Sequence, residues 1–283
     1  MAESMMSYDK RLNIILKRRA LNLRITSKIL MLVPFLECLV LTGSMARGDA
    51  RESSDIDLMF IVKPGRIYTT RFIISAILYI TGLKRGSKDV TAHGKFCPNY
   101  YITSDYLLAP IGRGEKMDRY CAENYSKSVF LGGEERIFKR FFEANGRNWR
   151  RHINYSLPEV ASRHAMQAGN YTNYSNCSNQ ILSQRLITCR ATNLQKSDPL
   201  YILHSTFPIK NSRLSGAIRS ISERILSGRF GDWIEKILKR IQLKKINSDP
   251  RTKKYPDLIV ANDREMRFHP PKPHRSDTRD KDG

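Results

Sequence analysis

No apolar run in this chain is long enough to span a bilayer. Residues 29–41 are interrupted by Pro34 and Glu37. Residues 72–83 stop short of the roughly 20 residues that a spanning helix needs. The first twenty residues lack the continuous apolar core of a secretory signal. These absences argue against membrane insertion and lead to the expectation of a cytoplasmic protein. Cysteine is also scarce. Cys38, Cys97, Cys121, Cys177 and Cys189 are an odd number with no C-x-x-C pair, which suggests neither a zinc site nor a disulfide framework. Buried, reduced thiols are the simpler reading. The six histidines show no metal-ligand spacing, and neither a phosphate-loop motif nor a nucleophile elbow occurs.

Acidic residues are few relative to basic ones. Against 49 Lys and Arg stand 27 Asp and Glu, a formal charge of +22. Such an excess attracts polyanions. Nucleic acid is the first candidate partner, nucleotide phosphates the second and an anionic membrane surface the third. The basic excess is densest over residues 213–254.

Hydrophobic residues make up 41% of the chain, enough for a packed core. Residues 9–32 read as a basic amphipathic helix that Pro34 ends. Strands are predicted at 38–42, 56–62 and 96–103, and helices at 44–51, 68–83, 115–131 and 134–145. Pro64-Gly65 closes the second strand as a turn. Strands alternating with helices over short connections predict an α/β (α+β) unit, a small mixed sheet with flanking helices stacked on one side. It spans residues 1–148, N-terminal helix included. Residues 149–212 are rich in Asn and Ser and read as an irregular connector, with one helix at 179–188. Residues 213–262 read as basic helices broken at Gly228 and Gly231. From 263 a charged, Pro-rich stretch reads as a mobile tail.

The densest chemical signal lies at residues 41–62, LTGSMARGDARESSDIDLMFIV. A strand ends at Gly43-Ser44, and a second begins with Asp55 and Asp57. Residues two apart on a strand point the same way. The two carboxylates therefore sit side by side, while Ile56 and Leu58 face a core. Adjacent carboxylates repel unless a cation neutralises them, and hard oxygen ligands suit Mg2+ or Mn2+. Gly43-Ser44 lies at a strand-to-helix turn, where backbone N–H groups favour a phosphate. Arg47, one helical turn on, reads either as a bidentate phosphate ligand or as part of a solvated helix face. Lys63 and Lys95 read either as phosphate contacts or as surface lysines beside strands.

Gly43-Ser44, a ten-residue gap and Asp55-Ile56-Asp57-Leu58 resemble the signature of the polymerase-β-type nucleotidyltransferase superfamily. The resemblance is strongest over residues 38–145. The remainder is similar to the C-terminal part of a bacterial branch of that superfamily, through the basic helix at 233–246 and the Arg-Phe-His-Pro run at 267–270. The resemblance implies that Gly43 and Ser44 hold the β- and γ-phosphates of an NTP. It implies that Asp55 and Asp57 hold Mg2+ or Mn2+ and act as catalytic carboxylates. The activity implied is transfer of a nucleoside monophosphate to an acceptor hydroxyl, with RNA, tRNA included, as the first acceptor that the basic charge suggests. Active members supply a third acid from a later strand. Here that strand, 96–103, carries Cys97 and Asn99 and no acid, which leaves Asp89, Asn99, Asp105 or no residue in that place. The rival reading is a nucleotide- or RNA-binding module that keeps the fold without turnover.

Overall fold

The computed structural model describes residues 2–86, 93–110, 115–154, 209, 213–254, 256 and 258–268. The elements follow in the order α1 (Ala2–Leu30), β1 (Leu36–Thr42), α2 (Gly43–Arg47), β2 (Ile56–Val62), α3 (Ile67–Ile80), β3 (Phe96–Thr103), α4 (Glu115–Ser126), β4 (Val129–Gly133) and α5 (Glu135–His152). Beyond residue 212 come α6 (Arg213–Ile225), α7 (Gly228–Ser248), α8 (Pro250–Lys254), β5 (Val260–Ala261) and β6 (Glu265–Arg267).

The strands form one six-stranded mixed sheet in the order β4-β1-β2-β3-β6-β5. Among the six described strands only β2 and β3 pair in parallel, with α3 as their crossover. β1 and β2 are apolar almost throughout and buried along nearly their whole length, as strands covered on both faces must be. Leu58, Phe60 and Val62 pack with Leu23 and Leu30 of α1 and Ile74 and Leu78 of α3. Met59 and Ile61 face the other way, against Tyr125 of α4 and Phe138, Phe141 and Trp149 of α5. Helices therefore cover both faces of the sheet, not one.

Several elements differ from the sequence reading. The helix expected at 115–131 ends at Ser126, where Ser128 Oγ donates to the Tyr125 carbonyl at 2.7 Å, and residues 129–133 pair antiparallel with β1. The three apolar residues of this strand, unbroken from the helix by Gly or Pro, gave no signal of the change. α5 runs seven residues past its expected end at 145, through Asn145-Gly146, a pair that favours stopping. The buried Asn145 side chain offsets that preference. Its amide donates to the carbonyls of Leu107 and Phe141, and its oxygen accepts from Ala109 N–H, each at 2.7 Å. Residues 265–267, expected in a mobile tail, form β6 against β3. β1 begins two residues early, α2 is shorter than expected, and α3 ends at Ile80 rather than 83. Of the irregular connector expected at 149–212, residues 149–152 instead continue α5 and Ile209 bridges Gly132 of β4; its expected helix at 179–188 lies outside the described residues.

Among the described residues no helix is long and apolar enough to cross a membrane. Cys38, Cys97 and Cys121 are buried and form no disulfide.

Candidate active site

The site sits where β1 ends and where β2 and β3 begin. Thr42, the last residue of β1, pairs with Asp57. Asp57 in turn lies opposite Cys97 on β3. Gly43 follows Thr42 directly, so the pairing sets its backbone against the Asp57 side chain. A Cβ at Gly43 would lie 2.9 Å from both Cβ and Cγ of Asp57. Gly43 also has φ +73°, a conformation that glycine adopts without the usual steric cost. Two independent constraints thus demand glycine here.

Asp55, the residue just before β2, and Asp57 on it bring their carboxylates to the same place. One oxygen of each, together with the Cys97 sulfur, lies within a set whose members are all within 4.8 Å of one another. Asp55 is 9% exposed and forms an ion pair with Arg85. Burial opposes the charge on Arg85, but Asp55, Cys97 and Asp57 outweigh it and raise its pKa. Asp57 Oδ1 accepts a hydrogen bond from Asn99 Nδ2 at 2.8 Å. That contact depends on a bulge: Leu58 pairs with Pro98, Met59 pairs with Tyr100, and Asn99 is the residue left over. Bulges re-aim side chains in this way.

Cys97 brings little to a hard cation. Burial first, then the charges of Asp57 and Asp55, push its thiol pKa well above the ordinary value. It therefore stays a neutral thiol near neutral pH, a poor ligand for Mg2+. The donor set that remains is two carboxylates, one tied to an arginine and one steadied by an amide. This set fits one hard divalent ion, provided Arg85 yields its place on Asp55.

Other residues hold the approach to Asp55. Arg19, 5% exposed on α1, donates to the Arg51 carbonyl at 2.7 Å and also to that of Glu52. Gly94 N–H donates to the Ser54 carbonyl at 3.0 Å, and Ile56 N–H to that of Lys95 at 2.9 Å. The loop before Asp55 is thereby stitched to α1 and to the entry of β3. The sequence reading missed Arg19 and Arg85. Only the three-dimensional fold brings either of them to the site.

Residues 30–101 match the family model of the nucleotidyltransferase domain. This segment is a nucleotidyltransferase domain. The match covers β1, α2, β2, α3 and most of β3, the stretch that builds the site. No curated protein and no solved structure matches the chain.

Within the nucleotidyltransferase domain the sequence candidates fare differently. Gly43, Asp55 and Asp57 converge, and Ser44 follows Gly43 in the chain. Ser44 is half-buried, and its carbonyl closes the short α2 by accepting from Gly48 and Asp49 at 3.0 Å. Arg47 adjoins the site with its guanidinium engaged, by Asn124 Oδ1 at 2.6 Å and Asp49 Oδ2 at 3.2 Å. Lys63 is exposed at the far end of β2 from Asp57. Asp105 is exposed in the turn after β3, whose far end lies about 20 Å from Cys97 at strand rise. Asp89 lies outside the described residues. Of the residues considered for the third place, Asn99 is the one shown to touch Asp57.

Proposed function

We propose that the chain transfers a nucleoside monophosphate from an NTP to an acceptor hydroxyl. The hydroxyl oxygen bonds to the α-phosphorus, the bond from that phosphorus to the bridging oxygen breaks, and pyrophosphate leaves. The observation that carries this reading is the seating of Gly43 against the Asp57 carboxylate. A turn with no room for a side chain lies directly beside a paired carboxylate, inside a nucleotidyltransferase domain.

Asp55 and Asp57 would hold the divalent ion, Mg2+ or Mn2+. When bound, such an ion supplies positive charge that steadies the triphosphate and favours ionisation of an acceptor hydroxyl. Gly43 and Ser44 would present backbone N–H groups, and Ser44 its hydroxyl, to the phosphates. Arg47 would reach a phosphate by exchanging Asp49 for it. Asn99 would hold the Asp57 carboxylate in one orientation. The net charge of +22 supports RNA as the acceptor.

A second reading is favoured by a specific observation. Asp55 is paired with Arg85, and no acid on β3 stands near Asp57. A site so neutralised could bind nucleotide without turnover. Pyrophosphate release separates the two. Each NTP is incubated with Mg2+ or Mn2+ and cellular RNA, with Asp57→Asn as control. Release with at least one NTP, lost in the variant, is expected. NTP binding without release from any NTP would support the binding module instead.

A further inference from the structure

α7 turns two different faces to its surroundings. Its inner face carries Gly231, Gln242 and Ile246, all buried. Its acids are held by the segment that opens α3. Glu235 accepts from the backbone N–H groups of Tyr68 and Thr69 at 2.9 and 2.8 Å, and Asp232 pairs with Arg66 at 2.5 Å. Gln242 donates to the Tyr68 carbonyl at 2.8 Å.

The outer face is basic and aromatic. At roughly 100° per residue, Arg229, Trp233, Lys236, Arg240 and Lys244 share the sector opposite the buried one. The four basic residues are exposed, and none forms an ion pair among the described residues. Trp233 is 58% exposed and Phe230 is 55% exposed. Their rings stack, with centroids 6.1 Å apart and planes 25° from parallel. Each residue of the stacked pair is thus more than half open to solvent.

We infer that the outer face of α7 is a docking surface for single-stranded RNA, with Trp233 and Phe230 as the stacking platform and the basic row facing the phosphates. Aromatic rings set in a positive track bind unpaired bases through their π-faces and the backbone through charge. Charge complementarity selects a polyanion. The arrangement disfavours a bilayer, because a helix lying in a membrane puts its apolar residues outermost and its lysines at the flanks. Here the basic residues are outermost, and Phe230 and Ile241 lie to one side. The choice of RNA over DNA rests on the RNA-acceptor reading above. α7 covers the α3 side of the sheet, opposite the face from which Asp57 projects. The surface would therefore grip RNA away from the reacting end.

The test is binding of a labelled 20-nucleotide single-stranded RNA to the full chain, read by fluorescence anisotropy. Trp233→Ala is expected to weaken binding about tenfold, within the range of one base–aromatic stack. Replacing Arg229, Lys236, Arg240 and Lys244 together by Gln is expected to lower the slope of log Kd against log salt by about 3, at roughly 0.7 for each phosphate no longer neutralised. The chain has two tryptophans, and Trp149 is 1% exposed. RNA should therefore quench the exposed component of the emission and spare the buried one. Tyr79→Ala, at an exposed ring on α3, should change nothing. Unchanged affinity in Trp233→Ala would overturn the inference. So would equal affinity for DNA of the same sequence, or Trp233-dependent binding to phosphatidylserine vesicles without RNA binding. RNA bound through Trp233 but never labelled would leave the surface standing and count against the proposed function. RNA labelled equally well, and bound equally well, by Trp233→Ala protein would do the reverse.

Discussion

At Asp57 and Cys97, β2 and β3 lie side by side in register and enter the same site. β2 brings two carboxylates separated by one core residue. β3 brings a neutral buried thiol, a proline and an amide. The sheet geometry is shared, so backbone placement does not explain the difference. What differs is charge. The β2 side gathers two carboxylates, and the β3 side sets an amide, Asn99, against one of them while Arg85 pairs with the other. A carboxylate pair held by its own arginine is stable without a metal, and a metal must compete for it.

The largest effect is expected at the turn that serves β2. Gly43→Ala should abolish nucleotide binding and transfer. A Cβ there meets Asp57, and the positive φ adds about 1–3 kcal/mol of strain. Nucleotide titration and a melting curve would check both effects. Asp57→Asn should lower transfer at least about 100-fold, the scale seen when a preorganised charge is removed from a reacting centre, while leaving the fold intact by circular dichroism.

Two variants sharpen the contrast by moving β3 toward β2. Asn99→Asp places an acid on the bulge that already touches Asp57. Mn2+ affinity, read from the free-ion EPR signal, should rise about tenfold. Melting without metal should fall, because like charges then face each other. Arg85→Met frees Asp55 and should also tighten Mn2+ binding, by about tenfold. Two unit charges 4 Å apart exchange roughly 4 kcal/mol near a protein surface, which leaves room for a gain of that size. Without metal this variant should melt earlier, and Mn2+ should restore more of its stability than it adds to the wild type.

The smallest effect concerns Cys97. Burial, then Asp57 and Asp55, raise its pKa in the folded chain above the ordinary 9.0. The folded state keeps a proton that the unfolded state releases as pH rises. Its contribution is therefore complete below pH 9 and lost above it. The Tm advantage of wild type over Cys97→Ala should narrow between pH 8 and pH 10. A constant gap would mean that the thiol titrates normally.

Most of the β2 side was legible in sequence. Alternation on a strand is local, so Asp55 and Asp57 could be placed on one face, with Gly43-Ser44 at the preceding turn. The β3 side was legible only as the lack of an acid. The bulge that aims Asn99 at Asp57 depends on strand register, which no residue type announces. Arg19 and Arg85 reach the site from a distant helix and from the connector after α3. Their roles arise from tertiary packing rather than from spacing along the chain. β4 and β6 were missed for a related reason. Each is a short strand fixed by its pairing partner, β1 or β3, with little alternation of its own.

One measurement addresses the central claim, that the paired carboxylates of β2 serve nucleotidyl transfer. The full chain is incubated with cellular RNA, a divalent ion and NTPs labelled at either the α- or the γ-phosphorus. If that claim holds, α-label becomes covalently attached to RNA, γ-label does not, and Asp55→Asn and Asp57→Asn each abolish attachment. Attachment of γ-label, or α-labelling of RNA that survives both substitutions, would contradict it.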